Sequence, residues 1–492
     1  MKLFYIFCIT FLSLSLYAQE NVFLERNYWQ NNPTLEQVKA DIAKGNDPTQ
    51  LNENMFDAST WAILNKAHIE VIKYLVSLEG NGVNKITHDG RNYLMWAGYA
   101  GDIQVIEWLI AQGSDVNHKD EHGYGLVTFT AVGGQMNPEI YDLYLSKGVS
   151  LDETNRDGAN ALLLASKNAT SLNDLSYFLD HGMSLLDEDE HGNNIFLYAV
   201  SMGNISFLKD LKGARVDYRK VNKDGENAVL VAAQGARRHH NSVDTFVYLN
   251  ELDVDFNLKN KEGKTALHEA AANNPEKEVI EYLIKMGNQP NTKDKDGNPA
   301  IFYAVAQNNK TAITVLSQYI QNLDYQNNAS ETLMSYAIKG NNEDFTAFLL
   351  EKDINLSHLN DRNESYINLL FTNYSDRNKD YFDKYIQVFT QKDILPAVNS
   401  ENGNTILHTA IDKDNIYLIN KAMELTKNIN VSNNKGLTPL QHAALMVKDV
   451  EILKKLVEAG ADKTVQTEFD ETVYQLAAEN EALKGQNITF LK

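Results

Sequence analysis

The sequence predicts an all-α solenoid of about a dozen helix pairs joined by hairpin loops, and three regularities predict it. Anchor residues Gly90, Gly123, Gly158, Gly192, Gly225, Gly263, Gly297, Ser330, Asn363, Gly403, Gly436 and Asp470 recur at steps of 33, 35, 34, 33, 38, 34, 33, 33, 40, 33 and 34 residues. Seven places after most of them stands an alanine: Ala97, Ala165, Ala199, Ala232, Ala270, Ala304, Ala337, Ala410, Ala443 and Ala477. Two places after most of them stands a small polar residue: Asn92, Asn160, Asn194, Asn227, Thr265, Thr332, Ser365, Thr405, Thr438 and Thr472. A unit this short cannot shield its apolar face alone, so copies must stack.

Each column has a physical reason. An anchor glycine tolerates the positive φ of a tight turn. The Asn, Thr or Ser side chain accepts a hydrogen bond from an otherwise unpaired first-turn N–H, so the first helix of each pair starts there. The alanine one turn further in has almost no side chain and lets a neighbouring helix approach closely. After a short break comes a second helical stretch with apolar residues at helical spacing, such as Val105, Ile106, Leu109 and Ile110, or Val279, Ile280, Leu283 and Ile284.

These features resemble the ankyrin repeat, a hairpin finger followed by two antiparallel helices. The segments from Asp89-Gly90 to Asn117, from Gly263-Lys264-Thr265-Ala266-Leu267-His268 to Asn291, and from Gly436-Leu437-Thr438-Pro439-Leu440 to Asp462 carry most of the consensus. The resemblance covers nearly all of the chain beyond about Pro33. Only His268 and His408 occupy the family's histidine place, and only Pro439 its proline.

Along the chain, residues 1–18 read as a secretory signal, with Lys2, an apolar run from Leu3 to Leu16 and cleavage after Ala18. Residues 19–52 read as an N-terminal capping segment, with Glu36, Val38, Ile42 and Gly45 marking one helix and a turn. Residues 53–469 form the repeat array, opening on a degenerate copy, and residues 470–492 form the outgoing cap. The two long steps place extra residues between helices, around Ala236–Asn241 and Thr372–Lys379, as projecting loops.

Composition narrows the function. The formal charge of -21 repels phosphate backbones and argues against nucleic acid. Hydrophobic content of 43% and aromatic content of 10% exclude a disordered chain. The single cysteine, Cys8, would leave with the signal, so a mature chain in an oxidising compartment would hold together by packing alone. Sequons such as those at Asn168 and Asn204 fall inside the helical repeats. The expectation is a monomer exported by a Gram-negative bacterium, periplasmic or secreted, with no stable membrane insertion after signal cleavage.

Local patterns that imitate chemistry fail on context. Gly263-Lys264-Thr265 lacks the first glycine of a phosphate loop, since residue 258 is leucine. Asp294-Lys295-Asp296-Gly297 lacks carboxylates at the outer calcium places, Thr292 and Tyr303. His268-Glu269 has Ala272 where a zinc hydrolase has its second histidine, and the resemblance instead implies that this histidine bonds the backbone of an adjoining loop. His118-Lys119-Asp120-Glu121-His122 and Arg237-Arg238-His239-His240 are the stronger metal candidates, yet both sit in turns where charge is simply solvated. No metal or cofactor is expected, and no enzyme activity.

The expected function is therefore a non-catalytic scaffold for a protein partner. The resemblance implies binding through the hairpin and the exposed end of the first helix, on the concave side. Carried over place by place, the candidates are His88, Asp89, Arg91 and Tyr99; His122 and Tyr124; Arg156 and Lys167; and His191. Tyrosine and arginine dominate the energetic centres of protein interfaces, which favours the N-terminal half. Two rival readings remain: an exported enzyme or glycan-binding protein using the long-step loops, and a metal-handling protein using the two His clusters.

Overall fold

The computed structural model describes residues 21–492; the expected signal at residues 1–18, with Cys8, lies outside the described residues. The chain divides into two compact units, one ending at Asp224 and the other spanning Gly225–Lys492. Among the described residues all regular structure is helical, with only isolated bridges such as Lys293 to Pro299.

The first unit opens with a 3-10 turn, Val22–Leu24, and helices Arg26–Gln30 and Leu35–Ala43. Helix pairs follow: Ala58–Leu64 with Ile69–Ser77, Tyr93–Ala100 with Ile103–Ala111, and Leu126–Val132 with Pro138–Ser146. Two more complete the unit, Ala161–Ser166 with Ser176–Asp180 and Ile195–Val200 with Ile205–Gly213. The second unit repeats the arrangement from Ala228–Gln234 with Val243–Glu251 to Pro439–Met446 with Val450–Glu458, and ends on Val473–Glu479. Within each unit the first helix of one pair packs on the first helix of the next.

The alanine column explains that packing. Ala97, Ala165, Ala232, Ala270, Ala304, Ala337, Ala410 and Ala443 are wholly buried, and their small side chains let successive first helices approach closely. The cap column does its expected work: Asn92 accepts from the Met95 N–H, Asn194 from Leu197 and Thr438 from Gln441. Asparagine does a second job, since its amide donates to the following loop, as from Asn92 to the Asp115 carbonyl at 3.2 Å and from Asn227 to that of Asp255 at 2.7 Å. Gly125 has no capping side chain, and Glu153 of the next repeat substitutes by accepting from the Val127 N–H at 3.2 Å. A Cβ at Gly125 would lie 2.4 Å from that carboxylate, so a side chain there would push Glu153 off the Val127 N–H.

All twelve anchors have positive φ, from 53° at Ser330 to 82° at Gly297. A further member precedes them: Met55, with φ 59°, is followed at the cap place by Asp57 and at the alanine place by Ala62. The fingers are held from inside by the residue three places before the anchor. The Asp120 carboxylate accepts from the N–H groups of His122 and Tyr124, both at 2.9 Å, and Asn260 does the same for Glu262 and Lys264 at 3.0 Å. Neighbouring fingers join by main-chain hydrogen bonds, with Glu121 donating to Asp89 at 3.0 Å, Arg156 to His122 at 3.3 Å, Glu190 to Asp157 and Lys223 to His191 both at 2.7 Å.

The two long steps differ from each other. The first is the expected loop, between Gln234 and Val243, but Asn241 within it is buried, donates to the Ala232 carbonyl at 3.0 Å and accepts from Asn274 at 2.9 Å. The second is not a projecting loop. A 3-10 turn, Asp376–Asn378, leads into a second helix of 13 residues, Lys379–Gln391, whose Tyr381, Phe382, Tyr385, Ile386 and Phe389 are buried. An added turn of helix buries apolar surface that a loop would expose.

Candidate functional site

In the first unit the columns flanking the anchors form one face. Six places after the anchor stand Trp61, Trp96, Phe129 and Tyr198; one place after it stand Phe56, Arg91 and Tyr124. Phe56 stacks on Trp61 with ring centres 4.7 Å apart and on His88 at 4.6 Å. Trp96 meets Phe129 edge-on at 5.4 Å, Tyr99 stacks on Phe129 at 5.2 Å, and Tyr124 lies 6.1 Å from the same ring. The first three layers therefore share a continuous aromatic stack, with Tyr99 exposed, Phe56, Trp61, His88 and Tyr124 half-buried, and Trp96 and Phe129 buried beneath them. The indole N–H of Trp61 is buried without an acceptor.

Arg91 is not a free arm on this face. It is buried, with Nε donating to Asp120 Oδ2 at 2.8 Å, Nη1 donating to Asp89 Oδ2 at 3.0 Å and the guanidinium 4.3 Å from the centre of the Phe129 ring. It braces the finger and supports the aromatic floor, so the reading of Arg91 as a contact residue is corrected to an internal one. A hairpin arginine reads as exposed in sequence because nothing local reveals that the next layer closes over it.

The remaining candidates line the fingertips. Immediately before successive anchors stand Asp89, His122, Asp157, His191 and Asp224, an alternation over five layers. His122 Nε2 lies 3.6 Å and His88 Nε2 3.3 Å from Asp89 Oδ2; His191 lies 3.2 Å from Asp224 and 3.9 Å from Asp157. Arg156 is exposed and donates to the Glu121 carbonyl. Lys167 is exposed, with its ammonium 5.1 Å above the Tyr198 ring, whose hydroxyl donates to Asp189 at 2.9 Å. Burial and the adjacent Asp189 carboxylate push the Tyr198 phenol well above its ordinary range. The structure thus brings His88, Asp89, Tyr99, His122 and Tyr124 together, while Arg156, Lys167 and His191 continue the row over later layers. The aromatic column was the missing part, and its signal was the Trp61, Trp96, Phe129 series.

The metal candidates do not converge. His118 Nε2 is engaged at 2.6 Å by the Gly90 carbonyl, whereas His122 turns to Asp89. Among the described residues no group of three or more His, Cys, Asp or Glu side chains is arranged to hold a metal ion. His268 and His408 are structural: each accepts from the cap residue's N–H on Nδ1 and bonds the next finger through Nε2, to the Asn298 carbonyl at 3.1 Å and the Leu437 carbonyl at 3.0 Å.

Finger, helix pair and buried alanine define a class of stacked-repeat proteins, and the comparisons agree. The family described as ankyrin repeats in three copies matches residues 29–120, 197–294, 271–363 and 378–467, and the chain belongs to it. Residues 121–196 fall outside those matches yet carry the same helix pairs. The chain is similar to the putative ankyrin repeat protein L371 of Acanthamoeba polyphaga mimivirus, 26% identical over 71% of this chain and 48% of that one. It is also similar to the E3 ubiquitin-protein ligase KEG of Arabidopsis thaliana, 24% identical over 69% of this chain and 19% of the ligase. A third is the human transient receptor potential cation channel subfamily A member 1, 28% identical over 37% of this chain and 16% of the channel. The chain thus spans less than half the length of these curated relatives, which are eukaryotic or viral. Among the described residues no helix is long and apolar enough to cross a membrane.

Proposed function

We infer that this chain is a non-catalytic scaffold that captures a protein partner on the finger and first-helix face of its first unit. The observation that carries the reading is the continuous aromatic floor from Phe56 to Phe129, flanked by the alternating Asp and His fingertips. On the support of buried Trp96 and Phe129, the exposed Tyr99 and half-buried Phe56, Trp61 and Tyr124 offer aromatic contact at small entropic cost, and polar fingertips give register. The test is capture from the native fraction with Tyr99→Ala, His122→Ala and Tyr124→Ala combined and Arg91 kept. Capture should fall at least about tenfold with the helical circular dichroism unchanged. Undiminished capture would remove this face from consideration.

Export of a monomer is the second part of the reading, supported by the Lys2 and Leu3–Leu16 pattern. Mass spectrometry of the protein from its native cells should find Gln19 as the mature N-terminus, and light scattering should give the mass of one chain. Retention of Met1 in the cytosolic fraction would contradict export.

A further inference from the structure

Two cavities in the second unit occupy the same place in two different repeats, and at both an exposed polar residue stands where most repeats of the unit turn a side chain inward. After the helix Glu343–Leu350 no left-handed residue follows and Ile354 is only half-buried, but in four other repeats of this unit the second helix ends on a left-handed residue, Asp253, Gly287, Asp393 or Gly460, with φ of 55°, 107°, 56° and 95°. The following residue then turns inward as a plug: Val254, Asn288, Ile394 and Ala461 are all buried, and each donates its N–H back to the helix, as Ile394 does to Phe389 at 3.0 Å. That is the usual closing turn of a helix.

After the helices Lys310–Leu316 and Ile416–Leu425 this turn is absent. The chain leaves through the 3-10 turn Ser317–Tyr319 in one case and the extended Thr426 in the other. Nine places before the next anchor, where the plug belongs, stand Gln321 and Lys427, both exposed. A cavity of about 210 Å³ opens beside Gln321, floored by Pro299, Ile301, Phe302, Ile320 and Leu333. One of about 230 Å³ opens beside Lys427, floored by Leu395, Pro396, Ile406, Leu425 and Val431.

Their charge is equally regular. In a chain with 66 acidic and 45 basic residues, neither cavity is lined by a carboxylate and each is lined by one lysine. Lys293 holds its ammonium 4.3 Å over the Tyr325 ring at the first, and Lys427 stands at the second. An apolar floor of this size under a single cation matches an apolar body that ends in one negative charge.

We propose that these two cavities bind small carboxylates with an aliphatic or aromatic body, one in each repeat that lacks its plug. This is independent of the protein-docking face, which lies in the first unit. The probe is octanoate, titrated into the full chain by calorimetry, with octylammonium as the cation of equal length. Octanoate should bind saturably at two sites with a dissociation constant on the order of 0.1 mM. Octylammonium should bind at least about tenfold more weakly. Gln321→Glu with Lys427→Glu places a carboxylate at the mouth of each cavity and should abolish both sites; both positions are exposed, so the fold is kept. Lys293→Met with Lys427 unchanged should weaken one site and spare the other. Absence of saturable binding, equal binding of the amine, or binding unchanged by the two glutamates would each overturn the proposal, whatever becomes of partner capture.

Discussion

His408 does its work as a neutral imidazole. Its Nδ1 accepts from the Thr405 N–H and its Nε2 donates to the Leu437 carbonyl, so both nitrogens are committed and a second proton has no acceptor. Burial, with His442 nearby, holds its pKa down to about 4 from the ordinary 6.5. Because the folded value is depressed, the unfolded chain takes up the proton first as pH falls. The stabilising contribution is intact above pH 6.5 and is lost as pH drops through about 4, by roughly 3 kcal/mol in all. The same chain shows how to remove the dependence. Gln441 fills the equivalent place one repeat later, accepting from the Thr438 N–H at 2.9 Å and donating to the Val465 carbonyl at 3.2 Å. His408→Gln should therefore match the wild type in urea at pH 7 and be more stable than it at pH 4.5. Parallel loss in both proteins would show that the acid sensitivity lies elsewhere.

At the scale of the finger and its helix pair, the backbone decides which residues are possible. Met55 occupies an anchor place with φ 59° and an exposed side chain, so its left-handed conformation is not offset by packing. Replacing Met55 with glycine should relieve about 1 kcal/mol, read as a higher urea midpoint with unchanged slope. A lower midpoint would mean that Met55 packs in a way that its exposure hides. The same restriction governs what is legible in sequence. Anchors, caps and alanines announce themselves because positive φ, an orphan N–H and a close helix contact each admit few residue types. Met55 obeys none of those preferences, and the first repeat looks degenerate for that reason alone. The functional face is harder to read, because exposed columns tolerate anything. Arg91 looks like a contact residue until Asp120, 29 positions away, is seen to hold it. The second long step was only partly placed, since the break between Asn373 and Lys379 falls where counting puts it, while Tyr381, Tyr385 and Phe389 at helical spacing carry the rest of the added length in a longer following helix.

On the scale of each whole unit, no single centre gathers the core; every layer depends on its two neighbours. The helix Ala300–Ala306 lies between Ala266–Asn273 on one side and Leu333–Lys339 on the other, and Ala304 is fully buried in that contact. Ala304→Leu has no space to enter, and overpacking of this kind costs about 2 kcal/mol. In a globule with one core, that loss would lower protection everywhere together. In a stack it is felt first where the contact is made. Native-state hydrogen exchange of the variant should show faster exchange in Ala266–Asn273 and Leu333–Lys339, with Pro439–Met446 of the same unit unchanged. Uniform acceleration across the unit would instead mean that its layers unfold as one body. The same logic bears on the two cavities: a plug missing from one layer costs only that layer's share of contact, so a linear stack tolerates the gaps beside Gln321 and Lys427 where a closed core would collapse on them.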